Sequence, residues 1–254
     1  MMNILIIAKN TFKMEVRDKI LYGIVVFGLL YVLMQLFLAD LVLKEIPMMK
    51  SFGLTGIYFF SAIIALFLGT TSFFKDVDRK VVYFILAKPV SRAQFLLGKF
   101  FGLCLVLLAT MAILAAAYLA LIFYEGAGFD ALGLLAILMQ YFEMALFIAF
   151  ATFVSTFSSS LLSIVYTSGV FFLGHIVSSL LDDAKQIGIT GVRYMLVAAL
   201  YYIFPNLEKF DVRNLAVHDV AMPFVSVGLA FAYAAVYIVF LLSVSIWIFN
   251  KKEI

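Results

Sequence analysis

Charge is what this chain has least of. Only 13% of its 254 residues are Asp, Glu, Lys or Arg, while 66% are hydrophobic. A soluble domain is nearer a quarter charged and half apolar. That shortage, with a mean hydropathy of +1.14, excludes a water-soluble globule and leaves a polytopic membrane protein. Cysteine is almost absent too. Cys104 stands alone in an apolar run, so no internal disulfide can form, and it reads as a small buried hydrophobe. His175 and His218 are the only histidines and lie far apart, and H-E-x-x-H is missing, which argues against a histidine-rich metal site. No G-x-x-x-x-G-K-[ST] occurs, so the chain does not hold ATP in a P-loop. The glycines of "GAGFDALG" at 126–133 read as a connector. Ser158, Ser159 and Ser160 read as a turn. Ser163, Ser168 and His175 share one helix, so they cannot face each other as nucleophile and base. Neither an enzyme nor a nucleic-acid partner is expected.

What the chain has is long apolar runs. Six of them, near 20–39, 52–74, 95–124, 131–157, 161–181 and 221–250, reach the roughly 20 helical residues needed to cross about 30 Å of hydrocarbon. Lipid cannot satisfy free backbone groups, so each must be helical. The period-two pattern of a membrane barrel is absent. The expected fold is therefore an all-α integral membrane protein with six transmembrane helices and one domain over 1–254.

Two further segments flank those runs. In the leader 1–19, Ile4, Ala8, Phe12 and Met14 alternate with Lys9, Lys13, Glu15 and Arg17, the pattern of a basic helix lying on a membrane surface. The first apolar run lacks an A-x-A-like end, so it is read as retained. Between the fifth and sixth runs, the insert 182–222 holds about a dozen apolar residues ending at Pro205. That length suits an outer-side re-entrant or interfacial helix, with a seventh crossing as the rival.

Charge placement orients the stack. With the N-terminus inside, the inner segments carry twelve bases and five acids, and the outer ones six bases and nine acids. The positive-inside rule then puts both termini in the cytoplasm of a cell-membrane protein. The largest cytoplasmic segment is 75–94. It gathers Lys75, Asp76, Asp78, Arg79, Lys80, Lys88, Pro89, Ser91 and Arg92. The stretch 78–86 places Val81, Phe84 and Ile85 on one helical face. Pro89 ends that helix, and Ser91 with Gln94 makes a capping box that starts the third span, with Val90 and Phe95 as the staple. Such an elbow transmits a push, whereas basic residues alone would only hold a loop at anionic lipid. Within the third span, Gly98 and Gly102 form a GxxxG pair that permits close helix approach, and Lys99 is placed to snorkel.

The stretch "DVDRKVVYFILAKPVSRAQFLLGK" resembles the cytoplasmic signature of ABC-2-type permeases. There a charged segment leads into L-x-x-P-[IV]-[ST]-R, a spacer and G-K, matched here by Leu86, Pro89, Val90, Ser91, Arg92, Gly98 and Lys99. The leader "IIAKNTFKMEVRDKILYGI" resembles that family's N-terminal elbow. "YYIFPNLEKFD" resembles the segment before the last span in a subset including permeases of nitrous-oxide-reductase maturation and gliding motility. Many members carry Glu and Gly-Thr where this chain has Asp76, Asp78 and "RKVVY". The resemblance implies six helices per subunit, a second permease copy, and a separate cytoplasmic ATPase that uses ATP and magnesium and grips the 75–94 segment as its coupling loop. It implies an exporter subunit that binds no cofactor itself. The rival readings are a scaffold that passes ATPase motion to an outer-side accessory protein, and an ATPase-independent secondary transporter.

One acid, Glu143, falls deep in a span, where an unmatched charge costs about 2.5–3.5 kcal/mol. The turn near Ser158 makes the fourth and fifth spans antiparallel neighbours. Counting fourteen residues back from Phe157 reaches Glu143, and fifteen forward from Ser160 reaches His175. The two share one depth, either as a polar patch on the pathway or subunit contact, or as a pair that locks the hairpin.

The charge asymmetry generates a direct test. A reporter fused after Ile254 should read cytoplasm and one inserted near Phe129 should read exterior. A C-terminus found outside would require an odd number of crossings.

Overall fold

A computed structural model describes residues 2–41, 45–78, 90–188 and 191–251. They form helices throughout: α1 (Met2–Glu15), α2 (Lys19–Leu41), α3 (Ile46–Asp78), α4 (Arg92–Tyr124), α5 (Ala131–Ser155), α6 (Ser160–Gln186), α7 (Val192–Ile203), a 3₁₀ turn (Glu208–Phe210), α8 (Arg213–Val217) and α9 (Phe224–Lys251). Six of them, α2 to α6 and α9, are long and apolar enough to cross a membrane. The 12 residues of α7 rise about 18 Å, too little for a crossing.

The bundle is built around α5. Two thirds of its apolar window is buried, against about a quarter for α2, α6 and α9. It packs on α3, α4, α6 and α9, and so occupies the axis while α2 and α9 cover the flanks. On α6 the buried residues Ser163, Thr167, Val170, Gly174, Val177 and Leu181 recur every three to four positions. That spacing turns one stripe inward and leaves the other face for lipid. The C-terminal ends of α1, α3 and α9, the start of α4 and the α5–α6 turn lie at one end, here the near end. The α4–α5 connection, the start of α3 and residues 204–223 lie at the far end.

Three helices run beyond the apolar windows, each for a polar reason. The second span begins at Ile46, not near 52, because Lys50 is neutralised inside the fold by Asp130 and Asp219. The third begins at Arg92, because Ser91 and Gln94 form a capping box. The fifth continues to Gln186, where Lys185 reaches back 3.1 Å to Asp182 on its own helix. The helix expected over 78–86, with Arg79, Lys80, Lys88 and Pro89, lies outside the described residues. So do the side chains of Asp76 and Asp78, although their backbone completes α3.

The GxxxG pair has an unexpected partner. Gly98 faces Ile7 and the Ile4 carbonyl, and a Cβ there would lie 2.7 Å and 2.9 Å from them. Gly102 faces Thr11 and the Ala8 carbonyl, at 2.6 Å and 2.7 Å. The two glycines therefore seat α1, which buries Ile7, Ala8, Thr11 and Glu15 against α4 while Lys9 and Lys13 stay exposed. Lys99, expected to snorkel, instead turns inward. It is 2% exposed and donates to the Ser72 carbonyl at 2.6 Å. Seating α1 over this face of α4 removes the route to water, and an acceptor on α3 replaces it.

Substituting Gly98 or Gly102 by Val should overpack the α1–α4 contact and cost about 1–3 kcal/mol. Gly169→Ala and Gly228→Ala, where an added Cβ meets nothing within 4 Å, should be neutral or gain up to about 1 kcal/mol from helix propensity. Thermal unfolding in detergent measures both. Equal effects at all four positions would mean that the close approach does not matter.

Candidate functional site

Near the termini, three helix ends are tied by charge. Glu15, at the end of α1, is 1% exposed. It accepts from the Ser72 hydroxyl at 2.6 Å and from Lys75 at 3.4 Å. Lys75 also donates to Asp18 at 2.6 Å. These contacts tie α1 to the last turns of α3. On the other side of the 75–94 segment, Arg92 donates to the carbonyl of Phe249 at 2.6 Å and of Asn250 at 3.4 Å. Those carbonyls end α9, where a cation meets the negative pole of the helix. The Arg92 guanidinium also lies 5.6 Å from the Phe249 ring centre. Ser91 caps α4, with Gln94 N–H to Ser91 Oγ and Ser91 N–H to Gln94 Oε1 both at 3.2 Å. The segment is thus anchored at its entry to α1 and at its exit to α9. The sequence singled out Lys75, Ser91 and Arg92 but not their partners. Glu15 and Asp18 are the only acids in a basic leader, which was the available clue.

A second cluster sits midway through the bundle. Glu143 of α5 and His175 of α6, placed at one depth by residue counting, lie 3.0 Å apart. Tyr58 of α3 completes a triangle. Its hydroxyl is 2.8 Å from Glu143 Oε1 and 2.5 Å from His175 Nε2. The other ring nitrogen, Nδ1, lies 2.8 Å from the Phe171 carbonyl. A carbonyl only accepts, so Nδ1 carries a hydrogen. Glu143 is wholly buried, and its second oxygen, Oε2, meets no hydrogen-bond partner among the described residues.

The far-end segment closes over this triangle. Arg213 lies with its guanidinium carbon 4.2 Å from the Tyr58 ring centre and grips Asp211 at 2.6 Å and 2.8 Å. Burial alone would raise the Asp211 pKa, but the Arg213 guanidinium outweighs it and holds that carboxyl below its ordinary range. The segment also donates from Leu207 N–H to the Gly174 carbonyl at 3.0 Å, next to His175, and from Asn206 N–H to the Tyr233 hydroxyl at 2.9 Å. Nothing in the sequence pointed to Tyr58 or Arg213, and Asp211 stood only as the last residue of the quoted "YYIFPNLEKFD" with no role attached, because the contacts span three helices and a loop.

A third cluster lies at the far end. Asp130 caps α5 through Gly133 N–H at 2.9 Å and accepts from the Tyr118 hydroxyl at 2.6 Å. Lys50 lies 3.4 Å from Asp130 and 2.6 Å from Asp219. Asp219 has a left-handed backbone, φ 52°, a conformation that Asp tolerates better than most residues.

No group of three or more His, Cys, Asp or Glu able to hold a metal occurs among the described residues. Residues 5–254 match the model of a family described as ABC-2 family transporter protein. No curated protein matches the chain.

The far-end cluster yields a mutational cycle. Lys50→Met leaves the buried Asp130 charge with only two hydrogen bonds and should cost about 3 kcal/mol. Asp130→Asn keeps the helix cap, and the double variant should recover at least half of the Lys50→Met loss. Chemical unfolding in detergent reads the cycle. Additive losses would show that Lys50 does not act through Asp130.

Proposed function

The chain belongs to the ABC-2 transporter family, and we propose that it is the permease subunit that converts ATP hydrolysis by a separate cytoplasmic ATPase into substrate export across the cell membrane. The observation that carries this reading is the anchoring of the 75–94 segment at both ends. A push on that segment reaches α1 through Lys75 with Glu15 and Asp18, and α9 through Arg92 with the Phe249 carbonyl. The seating of α1 on Gly98 and Gly102 passes the same push to α4. Four elements then move together, which is what a motor docked on one short segment requires.

In this reading the near end is cytoplasmic, in keeping with its excess of bases. Lys75, Asp76, Asp78, Arg79, Lys80, Lys88, Pro89, Ser91 and Arg92 form the coupling loop. ATP and magnesium belong to the ATPase, since this chain has no P-loop. A second copy of the chain completes the pathway. The α7 helix, with Val192, Met195, Leu196, Tyr202 and Ile203 exposed, lies in the outer interface of the bilayer. The second reading, a scaffold that moves an outer-side partner, is favoured by one observation. The 204–222 segment buries Leu207, Phe210, Ala216 and Val217 in the core, so it would carry helix motion to the outer surface. Transport by the reconstituted permease and ATPase without any third protein separates the two readings.

Charge reversal tests the coupling loop. Arg79→Glu with Lys80→Glu should reduce co-purification of the cognate ATPase by tenfold or more and leave permease stability unchanged. Pro89→Gly should preserve co-purification and lower transport per ATP hydrolysed. Normal co-purification and normal transport in the double reversal would mean that those charges serve only the lipid surface.

A further inference from the structure

We propose that Tyr58, Glu143 and His175 form an intramembrane proton-binding site, and that the bound proton holds the far-end segment 204–217 closed over the bundle. The inference stands apart from the ATPase reading and rests on counting hydrogens in the triangle.

Three heavy atoms meet there: Tyr58 Oη, Glu143 Oε1 and His175 Nε2, separated by 2.8, 2.5 and 3.0 Å. The Nδ1 hydrogen is already committed to the Phe171 carbonyl. If Glu143 were ionised and His175 neutral, the triangle would contain a single hydrogen, that of the Tyr58 hydroxyl. It would serve one edge, and the lone pairs of Nε2 and Oε1 would face each other at 3.0 Å. A second hydrogen removes the conflict. Carried between Nε2 and Oε1, it bonds that edge while the tyrosine bonds another. The geometry therefore calls for one proton more than the neutral histidine and ionised carboxylate possess. With it the Glu143–His175 pair is neutral overall, as a group at this depth should be. Without it the bundle holds an unmatched negative charge.

The surrounding groups leave the pair to itself. From the far-end segment, Arg213 and Asp211 neutralise each other and meet the site through the Tyr58 ring. From α4, Tyr118 is committed to Asp130 and Cys104 is buried. From α9, the Tyr233 hydroxyl accepts from Asn206 N–H and the Tyr237 hydroxyl donates to the Ile203 carbonyl, so both are seated on the far-end segment. Among the described residues, then, the supply of a second hydrogen falls to the pair itself.

Two contacts link the proton to the segment. Leu207 N–H bonds the carbonyl of Gly174, the residue before His175, and the packing there is tight, since a Cβ on Gly174 would lie 2.7 Å from the Pro205 carbonyl. Arg213 rests on the ring of Tyr58, the third corner of the triangle. Losing the proton to water separates Glu143 from His175 and shifts both seats at once. The closed state binds one proton more than the open one, so closure weakens as pH rises past the point where the opened site gives up its proton.

Hydrogen exchange measures this opening directly. The protein is placed in nanodiscs of phosphatidylcholine and phosphatidylglycerol, in a His218→Gln background that removes the other histidine. The assay runs above pH 5, because Asp211, held below the usual carboxylate range by Arg213, stays ionised there. After correction for intrinsic exchange, protection of the Asn206 and Leu207 amides should fall tenfold per pH unit over the window of proton release, the slope for one proton. Glu143→Gln supplies a permanent amide hydrogen where the proton sat, and should keep these amides protected without pH dependence. His175→Gln leaves Glu143 to bind the proton without its partner, and should keep the slope but move its window to another pH. A wild-type protein with pH-independent protection would overturn the proposal, whether or not either variant folds. So would an unchanged slope in Glu143→Gln, or an unmoved window in His175→Gln, since another group would then be titrating.

Discussion

The central helix carries two buried carboxylates and no cation of its own. Asp130 caps α5 and Glu143 sits at its middle, while Ala131–Ser155 contains no Lys or Arg. In hydrocarbon neither acid can rely on water, so every matching side chain must come from another element. Lys50 from α3, Tyr118 from α4 and the backbone of Gly133 serve Asp130. Tyr58 from α3 and His175 from α6 serve Glu143. The long helices α3 and α6 are therefore held against α5 at defined heights, not merely by apolar contact, which in lipid gives little preference for one register over another. The far-end segment follows from the same constraint. Asp219 shares Lys50 with Asp130, and Arg213 stacks on Tyr58, so two of its attachments end on groups that already serve α5.

The near end answers a different demand. Its charges are matched across helix ends, not within the interior, and each pair crosses the root of the 75–94 segment. Lys75 joins α3 to the leader, and Arg92 joins α4 to the last turn of α9. Such pairs would be weak on a soluble surface. Here Glu15 is almost fully buried, so breaking its contacts with Ser72 and Lys75 would strand the carboxylate rather than return it to water. The rigidity this confers supports a mechanical role for these helix ends. It also explains why a polar leader of fourteen residues adopts one fixed position on α4 instead of drifting along the bilayer.

Much of this was legible in the sequence where the signal was local or one-dimensional. Apolar length located six spanning helices, because the hydrocarbon thickness acts as a ruler. The Ser91–Gln94 box was readable because its partners are three residues apart. The equal depth of Glu143 and His175 was readable because one tight turn fixes the register of an antiparallel pair. What stayed hidden required lateral packing. Gly98 and Gly102 announce a close approach but not which helix makes it, and the partner proved to be the leader. Lys99 was expected to snorkel because its neighbour across the groove could not be known. Tyr58 is one of thirteen tyrosines and differs from the rest only in what surrounds it. The helix starts also moved for this reason: hydropathy treats Lys50 as a terminator, whereas two facing carboxylates make it part of the span.

The two ends of the molecule differ in how firmly they are closed, and the difference has a consequence for motion. At the near end each tie uses a full ionic partner or a helix-terminal carbonyl, and the glycine seat leaves no room for sliding. At the far end the segment between α7 and α9 is held by the buried Leu207, Phe210, Ala216 and Val217, by cation–ring contacts, by two hydrogen bonds from its backbone and by the exposed Asp219, above a triangle in which Glu143 has one oxygen without a partner among the described residues. Unmatched buried polarity is costly to keep, so the closed arrangement carries a cost that this packing must offset. A displacement imposed at the near end would travel along α3, since that helix bears both Lys75 and Tyr58, and would reach the far-end segment through the contact of Arg213 with the Tyr58 ring.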